Sequence, residues 1–149
     1  QGSADMTVAT VMTSAPACCT PSTSLTDVAR LMVENDCGEI PVVEDLESRK
    51  LAGVITDRDI ATRIVATGRN SAEARALDAM TSPAVSVHSD TSLQECCEMM
   101  ETHQIRRVPV VDEAGAVVGI VSLADVVRSA NSSTTVAVVK EVSSGLERG

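Results

Sequence analysis

Two blocks of apolar, β-branched residues punctuate the chain, each opening on a glycine and running into a hydroxyl residue: Gly53-Val54-Ile55-Thr56-Asp57-Arg58-Asp59-Ile60 and Gly119-Ile120-Val121-Ser122-Leu123-Ala124-Asp125-Val126. Adjacent β-branched residues behind a glycine predict the end of a buried strand. The hydroxyl residue with an aspartate three positions later predicts a helix opened by a capping box. There the hydroxyl accepts from the aspartate N–H and the carboxylate accepts from the hydroxyl residue's own N–H.

Around the first block the pattern reads as follows. Ala17-Cys18-Cys19-Thr20 predicts a short strand. Ser24 predicts the cap of a helix to about Asn35, with Leu25, Val28, Ala29 and Met32 on its inward face. Ile40-Pro41-Val42-Val43 predicts a strand at an edge or a start, because proline donates nothing to a ladder. Leu51 to Ile55 predicts its hairpin partner, and Asp57 to about Ala66 a helix with Ile60, Ile64 and Val65 facing inward. Gly68 suits the end of that helix, and Ser71 to Asp78 predicts an alanine-rich helical connector. The pattern then repeats. Met80-Thr81-Ser82 matches Met12-Thr13-Ser14, Thr91-Ser92-Leu93 matches Thr23-Ser24-Leu25, and Pro109-Val110-Val111 matches Pro41-Val42-Val43, all at a spacing of 68 residues (12 to 80). After the hairpin the spacing is 66 (53 to 119), so the second copy is two residues shorter in the polar turn at Asp112–Ala116. A register broken only in a turn is the mark of a duplicated β-α-β-β-α unit, an α/β (α+β) fold. The expected divisions are 7–67 and 80–130 for the repeats, 68–79 for the connector and 131–149 for a C-terminal helix or tail. In that tail Val136, Val139, Lys140 and Val142 follow helical spacing beyond a break at Asn131-Ser132-Ser133.

Composition narrows what such a fold does. Of 149 residues 44% are hydrophobic and none is aromatic, so the core is aliphatic and no base-stacking platform exists. The net charge of −9 argues against nucleic acid or an anionic membrane as partner, yet leaves room for a small phosphorylated ligand held by a few local cations. No apolar run approaches the ~20 residues of a membrane span, and no basic-then-apolar leader opens the sequence, so a cytoplasmic protein is expected. Cys18, Cys19, Cys37, Cys96 and Cys97 form no C-x-x-C, and His88 and His103 are the only histidines. Neither a zinc site nor a secreted disulfide framework is expected, and the cysteines read as small buried hydrophobes. His88 reads as a surface strand residue. There is no Gly-x-Ser-x-Gly, no phosphate-binding P-loop and no histidine metal motif, so a catalytic role is not expected.

With the paired Met-Thr lead-ins, the Ile40-Pro41-Val42-Val43 and Val108-Pro109-Val110-Val111 strands and the two Gly-x-x-[Thr/Ser]-x-x-Asp stretches, the chain resembles a tandem pair of cystathionine-β-synthase-type (CBS) domains, a Bateman module. The resemblance runs from about Val11 to Arg128. Thr56-Asp57-Arg58-Asp59-Ile60 and His103-Gln104-Ile105-Arg106-Arg107-Val108-Pro109 are especially similar to stand-alone, stress- or hypoxia-induced bacterial members. The resemblance implies two repeats packed with pseudo-two-fold symmetry around clefts for adenosine-containing ligands: AMP, ADP, ATP, S-adenosylmethionine or NAD-type molecules. It implies that Asp59 and Asp125 hold ribose hydroxyls, that Thr56 and Ser122 contact ribose or phosphate, and that the strands at Pro41 and Pro109 offer backbone groups to adenine. It further implies a homodimer acting on a protein partner.

The residue types suit that chemistry. Helix starts at Thr56 and Ser122 favour phosphate. Arg58, Arg106 and Arg107 offer charge-assisted bonds to phosphate oxygens, and His103 a pH-sensitive one. Ile40, Val54, Val108 and Ile120 are the candidates to sandwich an adenine. The first repeat has Gly38 and Glu39 where the second has Arg106 and Arg107, so the two clefts are not equivalent, and the arginines mark the phosphate-rich one. Two other readings stand beside this one. The Thr/Asp and Ser/Asp pairs are capping boxes and nothing more in a ligand-free interaction module, or paired cysteines make a redox-responsive protein.

Overall fold

The duplication written in the sequence organises the chain as two sheets of matching strand order. The computed structural model describes residues 6–133. A single 3-10 turn at Val8–Thr10 leads into β1 (Thr13–Ser14), α1 (Leu25–Asn35), β2 (Glu39–Val43), β3 (Leu51–Thr56) and α2 (Asp57–Ile60), which continues as a π-helical turn at Ala61–Val65. Then come α3 (Ala76–Ala79), β4 (Val87–His88), α4 (Leu93–His103), β5 (Arg107–Val111), β6 (Val117–Ser122) and α5 (Leu123–Ser133).

One sheet has the order β1-β6-β5-β4 and the other pairs β2 with β3. The second sheet is extended at both edges by single bridges, Cys19 parallel to Val42 and Thr81 antiparallel to Val54. These are the counterparts of β4 on β5 and of β1 on β6. Each Met-Thr-Ser lead-in therefore crosses over to pair with the other repeat's sheet. The exchange is reciprocal in its hydrogen bonds. Ala76 N–H donates to Thr23 O at 2.7 Å, and Val8 N–H to Thr91 O at 2.9 Å; Leu25 N–H donates to Ala74 O and Leu93 N–H to Met6 O, both at 3.0 Å. The two hairpin tips meet as well, through Lys50 and Ala116, with Leu51 N–H on Gly115 O and Val117 N–H on Arg49 O. These exchanges give the pseudo-two-fold symmetry that the family resemblance implies.

The crossing explains the glycines of the two blocks. A Cβ on Gly53 would lie 2.6 Å from Thr81 O, and one on Gly119 would strike Met12 and stand 3.0 Å from Thr13 O. The cores are exchanged in the same sense. Ala74, Ala76 and Ala79 join Leu25, Val28, Ile40, Ile55 and Ile64 of the first repeat, while Val8 joins Met100, Val108, Val110 and Val121 of the second.

Local chemistry sets the helix ends. Ser24 Oγ accepts from Asp27 N–H and Ser92 Oγ from Glu95 N–H, both at 3.1 Å. Asp36 and Gln104, 68 positions apart, end α1 and α4 in the left-handed region.

Several expectations are corrected. Ala17–Thr20 forms only the Cys19 bridge and not a strand. Ala29 is exposed; Leu25, Val28 and Met32 are buried in the core, with Leu31 packed against it. Val65 is 64% exposed. Ile64 is fully buried, as expected, within the π turn closed by Ala66 N–H on Ala61 O. The connector is helical only at Ala76–Ala79. Asn70 Oδ1 caps Ala72 N–H in a local turn, and the Ser24–Arg75 bridge and the Thr23 bond engage the backbone that follows. Helix α5 runs through Asn131–Ser133, where a break was expected. The valine pattern at Val136–Val142 lies outside the described residues. Pro41 sits inside β2, fully paired with β3 on one side; on the other, Cys19 alone bridges, donating its N–H to Pro41 O at 3.0 Å.

Candidate functional site

Strand β6 ends at Ser122 and α5 follows from Leu123, and the capping box at this junction repeats the one at Thr56 in the first repeat. Asp125 N–H donates to Ser122 Oγ at 3.1 Å and Ser122 N–H to Asp125 Oδ2 at 3.2 Å. In the first repeat the matching distances, Asp59 N–H to Thr56 Oγ1 and Thr56 N–H to Asp59 Oδ2, are both 3.0 Å. Each carboxylate commits Oδ2 to the cap. Its Oδ1 is left to a cation on the same helix: Arg128 hydrogen-bonds Asp125, and Arg63 Nε lies 3.8 Å from Asp59. The cap and an outward contact thus use different oxygens of one carboxylate.

A cavity of about 480 Å³ opens beside the second box. One wall is the β6–α5 junction from Ile120 to Asp125, and Arg106 and Arg107 at the start of β5 adjoin it. The opposite wall comes from the first repeat, as the end of α1 and start of β2 (Asn35, Asp36, Cys37, Glu39) and the crossing lead-in (Thr13, Pro16, Ala17). The site is therefore built between the repeats, and it exists because β1 crosses over. A shallower depression on the far side of Arg107 is lined by Gly38, Asp57, Ile60 and the α1 residues Ala29, Met32 and Val33.

Of the residues expected from sequence, Ile120, Ser122, Asp125, Arg106 and Arg107 meet in this cavity. Thr56, Arg58, Asp59 and Val54 belong to the other repeat's junction; Arg58 is exposed and Val54 is half-buried against Thr81. Ile40 and Val108 are corrected as sandwiching side chains, because both are buried in the sheet cores at 1% and 0% exposure. Pro41 and Pro109 are buried beside them. Apolar lining comes instead from Ile120 with Pro16 and Ala17. His103 ends α4 on its exposed side and does not line the cavity.

Sequence reasoning did not single out Glu39. It is 7% exposed, and among the described residues its Oε2 has no hydrogen-bond partner. Burial pushes its carboxyl up to about 7; Arg107 opposes the shift and Asp59 adds to it. Its one sequence signal is register, since it stands 68 positions before Arg107.

The five cysteines are free thiols. Burial pushes Cys19 up to about 12 and Cys96 up to about 11, so neither is a thiolate at neutral pH. Among the described residues no group of three His, Cys, Asp or Glu side chains is placed to hold a metal ion, and no helix is long and apolar enough to cross a membrane.

A family model, described as CBS domain, matches residues 8–66 and 74–132. CBS domain-containing protein YhcV of Bacillus subtilis is 40% identical over 76% of this chain and 78% of its own length. Hypoxic response protein 1 of Mycobacterium tuberculosis is 35% identical over 90% of this chain and 92% of its own. Among solved structures, that of hypoxic response protein I with two coordinated zinc ions superposes with a TM-score of 0.74 at 36% identity, over 83% of this chain and 98% of that one. CBSX2 of Arabidopsis thaliana in complex with AMP gives 0.72 at 29% identity, over 85% and 96%. The CBS domain pair of MJ0100 with 5′-methylthioadenosine and S-adenosyl-L-methionine gives 0.75 at 26%, over 86% and 98%.

Proposed function

The chain belongs to the CBS-domain family, as two repeats in tandem, and from that premise we propose that it is a non-catalytic regulatory module taking an adenosine-containing ligand in the cavity at Ser122–Asp125. The observation that carries this reading is the make-up of that cavity. Asp125 brings a carboxylate oxygen paired with Arg128, whose side chain is 72% exposed and readily displaced. A ribose diol donating to that oxygen leaves the cap intact. Helix α5, eleven residues long, brings the positive end of its dipole to the cavity wall, with Leu123 N–H already donating to Arg106 O and Asp125 N–H to Ser122 Oγ. Arg106 and Arg107 supply guanidinium groups on the adjoining wall for a phosphate or carboxylate. The AMP and S-adenosyl-L-methionine complexes of CBSX2 and MJ0100 support adenosine as the common element.

Because the walls come from both repeats, ligand binding favours one packing of the repeats over another, and the module signals by population shift. We further propose that it acts in the cytoplasm as a homodimer on a protein partner under stress; the similarity to hypoxic response protein 1 supports the stress role. Thr56 and Asp59 are the candidate contacts of a second, weaker cleft. The experiment is a thermal-shift panel on nucleotide-stripped protein with AMP, ADP, ATP, S-adenosylmethionine and NADH. At ~100 times its dissociation constant a ligand adds ~2.7 kcal/mol, a rise of several degrees. A rise with at least one of the five is expected; a flat panel confirmed by calorimetry would overturn the reading.

A further inference from the structure

The two box aspartates differ in the cation that faces their second oxygen. Asp125 Oδ1 pairs with Arg128, three residues along α5, whose side chain is 72% exposed. Asp59 Oδ1 faces Arg63 Nε at 3.8 Å, four residues along, and Arg63 is the less exposed of the two arginines at 48%. Arg63 also has a second anchor, because its guanidinium donates to Met80 O at 3.1 Å. Met80 directly precedes Thr81, which bridges to Val54, so this carbonyl belongs to the lead-in crossing onto the first repeat's sheet. Arg63 therefore ties the box junction to the crossing lead-in. In the second repeat the same two elements are facing walls of the 480 Å³ cavity. Four residues after Asp125 the second repeat has Ser129, whose hydroxyl donates to Met6 Sδ at 3.6 Å. A depression of about 330 Å³ opens there, lined by Val11, Asp125, Arg128 and Ser129. Val11 directly precedes Met12, the register counterpart of Met80. The corner that Arg63 crosses in the first repeat is thus open in the second.

Resting on the adenosine reading above, we propose that Arg63 is an internal block on the first-repeat cleft: it holds the Asp59 oxygen that a ribose needs and straps the junction to the lead-in. The chain then takes one ligand, at Asp125, at concentrations that leave the other cleft empty. A ribose reaching Asp59 has to displace a guanidinium and strip Met80 O of a charge-assisted bond, the stronger kind of hydrogen bond. One reaching Asp125 displaces an exposed surface pair, which is worth little. The inequality of the two clefts therefore lies in Arg63 and Ser129, four residues beyond each aspartate, as well as in the arginines at the start of β5.

The test is calorimetric titration of AMP into nucleotide-stripped wild type, Arg63→Ala and Ser129→Arg, with each melting temperature recorded. The wild type is expected to bind one AMP per chain. Arg63→Ala is expected to bind two, its second site tighter than the wild type's by about tenfold or more, the scale of a lost charge-assisted bond. Removing a positive charge by itself weakens the binding of an anion, so this gain is opposite in sign to a simple charge effect. Ser129→Arg, which sets the same cation four residues after Asp125, should weaken the site there by about tenfold. Two AMP per chain in the wild type would overturn the block, and so would one in a folded Arg63→Ala. Should Arg63→Ala fail to fold, Ser129→Arg decides alone, and unchanged affinity in it overturns the block. Any of these results leaves the adenosine reading standing, while a wild type that binds no AMP removes the two together.

Discussion

Asp125 and Asp59 show how one carboxylate closes a helix cap with one oxygen and keeps the other for an outward contact. In both, Oδ2 closes the capping box and Oδ1 faces a cation at the surface of the helix. Spacing alone cannot tell a cap from a ribose contact, and the geometry removes the need to choose between them. Glu39 carries a different consequence at the same scale. A carboxyl whose folded value is raised from 4.5 to about 7 holds its proton more tightly folded than unfolded. Its contribution is therefore favourable below the unfolded value and is lost as pH rises through about 7. Desolvation is the main cause, with Arg107 on β5 opposing it and Asp59 on α2 reinforcing it. Glu39→Gln is accordingly expected to gain about 2–3 kcal/mol over the wild type between pH 5 and pH 8, measured by urea unfolding at the two values. A gain independent of pH would contradict the assignment. The cysteines are plain by comparison. Cys19 holds the place that Val87 holds 68 residues later, and Cys96 the place of Val28, so buried thiols stand where the other repeat has valine.

Among elements, the crossing lead-ins matter most. Gly53 and Gly119 lie where the opposite lead-in passes, and the two are not equally tolerant. The added methyl of Gly53→Ala meets a backbone carbonyl, Thr81 O at 2.6 Å, which cannot move without breaking its ladder; that of Gly119→Ala first meets the flexible Met12 side chain. Gly53→Ala should cost about 2–3 kcal/mol and Gly119→Ala less, with Met12→Ala recovering part of the second. Chemical denaturation of the four proteins checks the order, and equal losses would contradict the close approach. Local signals made much of this scale legible. The serine caps, the hairpins and the repeat register were all written in neighbouring residues. The crossing was not, because Thr13 on Ile120 and Thr81 on Val54 are pairings between distant segments with no local mark. Only the repetition of Met-Thr-Ser hinted that the lead-ins had a task. Val65 is exposed beside the buried Ile64, because neighbouring residues on a helix point in different directions and only one of the two faces the core. The burial of Glu39 has no local mark in the sequence, which shows only that it stands in register with Arg107.

The whole molecule joins these parts around its pseudo-two-fold axis. Lys50 and Ala116 pair the hairpin tips, and Arg49, in the left-handed conformation that Gly115 adopts in the other tip, reaches across. Its guanidinium donates to Pro16 O at 3.0 Å and Val117 O at 3.3 Å, tying the axis to the lead-in that forms one cavity wall. A ligand between Asp125 and that wall touches both repeats, which makes the cavity a place where binding and repeat packing are linked. The central claim is best tested by titrating AMP calorimetrically into the wild type, Asp125→Ala and Asp59→Ala, with each variant's melting temperature recorded. Both variants should lose about 1 kcal/mol of stability with their caps. Asp125→Ala alone should weaken binding at the tighter site by about tenfold or more, the loss expected when a charge-assisted bond of ~1.5–3 kcal/mol is removed. Unchanged affinity in Asp125→Ala, with stability lowered, would reduce the carboxylate to a helix cap and contradict the claim.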